Sequence, residues 1–220
     1  MIYSPSLACA DPLNLENEII ELNQCGISWI HFDIMDGHYV PNLCLNLDTA
    51  KAIKKRFPEM LLDVHIMATN PEFYIQPLSE LGAKNVAFHF DATHFSFRMI
   101  RTIHSFGMQA GVVLNPSQSV NDLLPLIREV DYILVMSVEP GFAGQTFIEN
   151  TYEKVKMLAD IRRENGLKFQ ISVDGGIDAQ IGKKLKELET NILILGYPAI
   201  FRQKDGIMNS FIRYKNIVER

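Results

Sequence analysis

The chain has 220 residues, 47% hydrophobic and 21% charged, with a formal net charge of −5. That balance excludes a disordered chain and a miniprotein held together by disulfides, and it allows one large domain or two small ones. The acidic excess argues against a nucleic-acid partner, so an anionic small molecule would need a local nest of backbone amides rather than a positive surface field.

Short apolar runs alternate with longer amphipathic ones along the whole sequence. Residues 2–9 read as a strand, and Asp11-Pro12 opens a helix through about residue 25, Pro12 falling in the first turn where a missing N–H costs nothing. A second strand over 28–35 and a helix over 47–57 follow, then a strand over 60–67 and a helix from Asn70-Pro71 to Gly82. A strand over 85–90, a helix over 95–106 stopped by Gly107, and a strand over 108–114 come next. Asn115-Pro116 turns the chain into a predicted helix over 120–129, followed by a strand over 131–138 and a glycine-rich loop over 139–145. The remainder reads as a helix over 150–164, a strand over 168–173, a helix over 178–187, a strand over 191–195 and a helix over 206–218.

Eight strand–helix units call for a parallel sheet covered by helices, and eight in one uninterrupted domain over 1–220 favour a closed (β/α)8 TIM barrel. An open doubly wound sheet is the lesser alternative, weakened because no GxGxxG follows the first strand. The three cysteines, Cys9, Cys25 and Cys44, are odd in number and not spaced as a zinc knuckle; they read as reduced thiols. No apolar run is long enough to span a bilayer and no basic, apolar leader is seen, so a cytoplasmic protein with no membrane partner is expected.

In such a barrel the chemistry sits at the C-terminal ends of the strands. The second strand carries His31, Asp33 and Met35 at alternate positions, hence on one face. The third ends in His65 and the seventh in Asp174. Two imidazoles and two carboxylates suit one divalent ion such as Zn²⁺, Mn²⁺, Fe²⁺ or Co²⁺. Two carboxylates facing one pocket could equally act as a paired acid and base. Any one of these residues alone reads as easily as a satisfied core polar group; four at matching depth do not. His38 and His89 read as structural histidines held by hydrogen bonds. Met35, Met67 and Met136 also fall at strand ends, where they could fill core gaps or form a dry cap over a bound substrate.

Glycines gather on the same rim: the loop Gly141, Phe142, Ala143, Gly144 after the sixth strand, Gly175-Gly176 after the seventh, and Gly196 after the eighth. One glycine would be turn chemistry alone; three such turns fit a phosphate site, where backbone N–H groups must approach closely.

These motifs, in this order, resemble the ribulose-phosphate 3-epimerase family, including its allulose-6-phosphate 3-epimerase relatives. The match runs through Ser4-Pro5-Ser6-Leu7, His31-Phe32-Asp33-Ile34-Met35-Asp36-Gly37-His38, Asp63-Val64-His65-Ile66-Met67, Leu114-Asn115-Pro116, the segment 135–145 and Val173-Asp174-Gly175-Gly176-Ile177. The resemblance implies a ribulose-phosphate-binding barrel with one divalent metal on His31, Asp33, His65 and Asp174. It makes Asp33 and Asp174 the acid–base pair that inverts C3 of a ketose phosphate through an enediolate. Ser6 and His65 then contact the substrate, and residues 141–144 with Gly175, Gly176, Gly196 and Tyr197 hold its phosphate. The expected reaction is D-ribulose 5-phosphate to D-xylulose 5-phosphate, with D-allulose 6-phosphate the alternative substrate and a homo-oligomer expected. A same-fold decarboxylase would want a lysine among the strand ends, and none is there; a non-catalytic sugar-phosphate binder would not need both aspartates. Three departures from the family pattern stand out: Gly196-Tyr197-Pro198 in place of a hydroxyl-bearing turn, Leu43-Cys44-Leu45-Asn46, and Glu139 followed by Ala143. Proline has no N–H to offer a phosphate.

Overall fold

Eight strands, all parallel, run β1 (Ile2–Pro5), β2 (Trp29–Met35), β3 (Leu61–Met67), β4 (Asn85–His89), β5 (Gln109–Leu114), β6 (Tyr132–Met136), β7 (Gln170–Asp174) and β8 (Ile192–Leu195) in a computed structural model that describes residues 1–220. They form one sheet in the order β1-β8-β7-β6-β5-β4-β3-β2, and the bridge from Ser6 to His31 brings β1 back beside β2, giving a nearly closed barrel. Seven α-helices lie on the connections: α1 (Leu15–Gln24), α2 (Leu47–Arg56), α3 (Ile75–Glu80), α4 (Ser96–Ser105), α5 (Asn150–Glu164), α6 (Ala179–Glu187) and α7 (Gly206–Val218). This is the (β/α)8 arrangement read from the alternation of elements.

The differences from the sequence reading are local. β1 stops at Pro5, and Leu7–Cys9 coils into a 3₁₀ turn. Leu7 and Cys9 are still buried, and an apolar run by itself does not say whether the buried backbone is extended or coiled. The first helix begins at Leu15, and the expected helix after Asn70 divides into a 3₁₀ turn, Pro71–Tyr74, and the short α3. The segment 120–129 forms no α-helix: a 3₁₀ turn, Val120–Leu123, leads into turns closed by bonds such as Leu126 N–H to the Leu123 carbonyl. Pro125 lies in the middle of it and has no N–H for an α-helical ladder. β7 runs to Asp174, so that carboxylate is the last residue of its strand rather than the first of a loop.

Register sorts the side chains into two faces. The β2–β3 ladder pairs His31 with Asp63, Asp33 with His65 and Met35 with Met67, and this set points into the barrel. The alternate residues, among them Phe32, Val64, Phe88, Val112 and Val135, face outward and join a cluster of 55 buried residues between barrel and helices. A smaller cluster that includes Val113, Tyr132, Leu134, Met136, Ile192 and Ile194 fills the interior. Tyr132 reaches across this space only because Gly111 faces it: a Cβ on Gly111 would sit 2.2 Å from the Tyr132 ring.

Candidate active site

A pocket of about 580 Å³, open to solvent, lies at the C-terminal ends of the strands. Its lining includes Ser6 after β1, Asp33 and Met35 on β2, Met67 on β3, Met136 on β6 and Asp174 on β7. The loop residues Gly141, Phe142, Ala143 and Gly144 form one side of it, with Gly175, Gly176, Gly196 and Tyr197. His31 and His65 lie beneath this surface at 1% and 0% exposure, and both reach up to the two carboxylates. The sequence-derived residues therefore converge on one rim, the imidazoles forming its floor.

His31 Nε2, Asp33, His65 and Asp174 place one ligand atom each within 4.8 Å of one another. His31 Nε2 is 3.5 Å from Asp33 Oδ1 and 3.8 Å from Asp174 Oδ2, and has no hydrogen-bond partner. His65 offers its other nitrogen: Nδ1 lies 3.2 Å from Asp33 Oδ1 and 3.9 Å from Asp174 Oδ2. A buried imidazole nitrogen without a partner, facing two carboxylates and a second imidazole, is what a divalent cation site requires before its ion is added. The cluster could hold such an ion.

Hydrogen bonds around these groups fix their orientation. His31 Nδ1–H donates to Asp63 Oδ2 at 2.9 Å, which turns Nε2 toward Asp33 and Asp174. Ser4 Oγ donates to the same Asp63 oxygen at 3.3 Å. Ser6 Oγ donates to Asp33 Oδ2 at 2.7 Å, so that oxygen is held while Oδ1 turns toward the imidazoles. The two carboxylates differ in their hold on a proton. Burial disfavours the Asp33 anion, but His31 and His65 outweigh it and hold this carboxyl well below the usual range. Burial pushes Asp174 up to about 6, with the neighbouring Asp33 charge adding and the histidines opposing.

Asp63 was missed as a functional residue. The signal was present, since it stands two before His65 on the same strand face, as His31 stands two before Asp33. His38 is exposed and bonds the Asp36 carbonyl; it takes no part in the cluster.

The glycine-rich rim is tied down by polar side chains. Ser137 Oγ is shared between the carbonyls of Asp174 and Gly175 at 2.8 and 2.6 Å. Asn42 donates to the Gly141 carbonyl, and Gln145 donates to the carbonyls of Glu139 and Phe142. Gly176 has φ +62, and a Cβ there would lie 2.9 Å from the Gln145 carbonyl oxygen, so only glycine lets these two loops meet. At the β8 end, Pro198 has no N–H to offer a ligand. Burial pushes the Cys9 thiol up to about 12, with Asp33 and Asp174 adding, so it stays protonated. Arg202 stacks over the Tyr197 ring at 4.3 Å.

Comparison with known proteins agrees with this geometry. The model of the Ribulose-phosphate 3 epimerase family matches residues 2–201. The chain is 35% identical over 193 residues to the ribulose-phosphate 3-epimerase of Treponema pallidum (strain Nichols), covering 88% of each. It is 36% identical over 203 residues to the ribulose-phosphate 3-epimerase of Bacillus subtilis (strain 168), covering 92% of this chain and 93% of that one. In fold it is similar to 3-hexulose-6-phosphate synthase from Salmonella typhimurium, with a TM-score of 0.70 over 100% of this chain and 99% of that one, at 19% identity.

Proposed function

The chain belongs to the ribulose-phosphate 3-epimerase family, and from that premise we propose that it interconverts D-ribulose 5-phosphate and D-xylulose 5-phosphate by inverting C3. It is a sugar-phosphate 3-epimerase; the substrate, the roles of individual residues and the identity of the metal belong to the proposal. The observation that carries it is the convergence of Asp33 and Asp174, from strands three steps apart around the ring, on one pair of imidazoles.

The C3 hydrogen of a 2-ketose lies beside the C2 carbonyl and is removed as a proton. Asp33, held as the anion by its histidine neighbours, takes it from one face. Asp174, which retains a proton more readily because of its burial, returns one to the other face. The return direction exchanges the two roles. Ser6 keeps the Asp33 carboxylate aimed during the transfer. Met35, Met67 and Met136 wall the reacting carbons and keep bulk water from the planar enediolate. A divalent ion, when bound by His31 Nε2, His65 Nδ1, Asp33 and Asp174, supplies the positive charge that polarises the C2 carbonyl. Two nitrogen and two oxygen donors suit Zn²⁺, Mn²⁺, Fe²⁺ or Co²⁺.

The phosphate is placed against the amides of residues 141–144 and of Gly175 and Gly176, which suits an anion on a chain whose net charge is −5. One barrel domain over 1–220, a cytoplasmic location and a homo-oligomer complete the proposal. No helix is long and apolar enough to cross a membrane.

Metal-loaded protein incubated with D-ribulose 5-phosphate in D₂O tests this. Deuterium at C3 with formation of D-xylulose 5-phosphate is expected, and Asp33→Asn and Asp174→Asn should each abolish it. Turnover of D-allulose 6-phosphate alone would overturn the substrate, and wild-type exchange in either variant would overturn the mechanism.

A further inference from the structure

The backbone of the turn after β8 has little to offer an anion. Pro198 has no N–H, and the N–H groups of Ala199, Ile200 and Phe201 all donate to the Gly196 carbonyl, at 3.2, 3.2 and 3.4 Å. The charges around the pocket oppose an anion as well. Asp33, Glu139 and Asp174 are in its lining, and no lysine or arginine is. A phosphate group at this end needs a positive charge close behind the wall.

Side chains of the same turn supply what the backbone lacks. Tyr197 is half-buried and lines the pocket. A Cβ on Gly144 would lie 3.7 Å from Tyr197 Cδ2, so the ring spans the gap between the β8 turn and the glycine-rich loop after β6. Arg202 comes back over that ring, with Cζ 4.3 Å from its centroid. Arg56, Arg98, Arg162, Arg163 and Arg213 each lie against a carboxylate, whereas Arg202 has the Tyr197 ring and no carboxylate at ion-pair distance. Stacking uses the face of a guanidinium and leaves its charge in place.

The backbone is bent to bring this about. Arg202 has φ +54, a left-handed conformation that glycine takes without strain and arginine does not. Gln203 Nε2 holds the bend by donating to the Tyr197 carbonyl at 2.6 Å. Strain kept at a non-glycine residue beside a pocket points to its side chain as the reason.

We propose that Tyr197 and Arg202 act as one stacked unit that forms the β8 wall of the phosphate site. The phenol donates to a phosphate oxygen, and Arg202, a positioning residue, holds the ring and supplies the positive charge. The inference rests on the sugar-phosphate reading of the pocket and adds to it a residue outside the lining.

Binding of inorganic phosphate to the whole metal-free protein, measured by calorimetry, tests it without metal or turnover. Arg202→Gly removes the guanidinium and relaxes the backbone, so its Tm should equal or exceed that of wild type. Its phosphate affinity should nevertheless fall by about tenfold or more. Arg202→Lys keeps the charge but not the planar stack and should fall between the two. Tyr197→Ala combined with Arg202→Gly should lose little more than the worse single variant, because the pair works as one. In the metal-loaded protein the Arg202→Gly loss should appear in KM for D-ribulose 5-phosphate rather than in kcat; disturbance of the distant carboxylates would lower kcat. Phosphate affinity equal to wild type in Arg202→Gly, or full additivity of the two single losses, would overturn the stacked unit. Absence of turnover with phosphate binding still dependent on Arg202 would instead overturn the epimerase reading and leave this one standing.

Discussion

Ser6 Oγ donates to Asp33 Oδ2 at 2.7 Å across the seam where β1 and β2 meet. The contact therefore couples closure of the barrel to the aim of a carboxylate. Ser6→Ala removes a hydrogen bond to a charged group, a contribution of about 1.5–3 kcal/mol. We expect kcat/KM to fall roughly 10- to 100-fold. Metal content, measured beside it, should stay at the wild-type level; loss of both together would show that Ser6 serves the ion site instead.

His31→Ala and His65→Ala each remove one nitrogen from the cluster and should purify without stoichiometric metal, as elemental analysis reads. Asp63→Ala leaves all four donors in place but frees the His31 ring. Its metal affinity should drop by about 10- to 100-fold. Full occupancy in both histidine variants would exclude the four-donor site.

Asp174 gives a pH dependence of defined sign. Its carboxyl is raised to about 6, so in the metal-free protein it contributes stability that is present below the unfolded value, about 3.9, and is lost as pH rises through 6. Asp33, held low, works in the opposite sense. Chemical unfolding of metal-free wild type and Asp174→Asn should therefore show wild type losing ground to the variant between about pH 4 and 6. Metal affinity should fall as pH drops below about 6, because a proton then competes for the same oxygen. A flat affinity from pH 7 to 5 would contradict the raised value.

Pro198 leaves the β8 turn one backbone donor short. The Tyr197 phenol is a side-chain donor on the same turn, and it lines the pocket. Tyr197→Phe should raise KM for the phosphorylated ketose roughly tenfold, the worth of one hydrogen bond to a charged group, with kcat little changed. An unchanged KM would place the phosphate on the glycine amides alone.

Gly111→Ala would put a methyl group 2.2 Å from the Tyr132 ring inside the barrel. Overpacking of this kind costs about 1–3 kcal/mol, and in a chain of this length each kcal/mol lowers Tm by about 2–4 °C. A melting curve superposable on wild type would show that the interior can yield.

The sequence by itself determined the order of elements, the barrel and most of the rim. Strand polarity and side-chain alternation are local, so His31, Asp33 and Met35 could be set on one face, and the strand-end rule then gathered His65 and Asp174 with them. Glycines after β6, β7 and β8 were legible for the same reason, because a backbone that must turn tightly is written in residue type. The helix expected over 120–129 was the failure of that local reading: the apolar pattern suggested it, and Pro125 in its middle prevents it. Only the tertiary structure decided which nitrogen each imidazole presents and that Asp63 stands behind His31. It also brought Tyr39, Asp91 and Asn115 together from separate stretches of the chain. Ring tautomers and hydrogen-bond directions depend on partners that are distant in sequence and set by packing, and no periodicity along the chain encodes them.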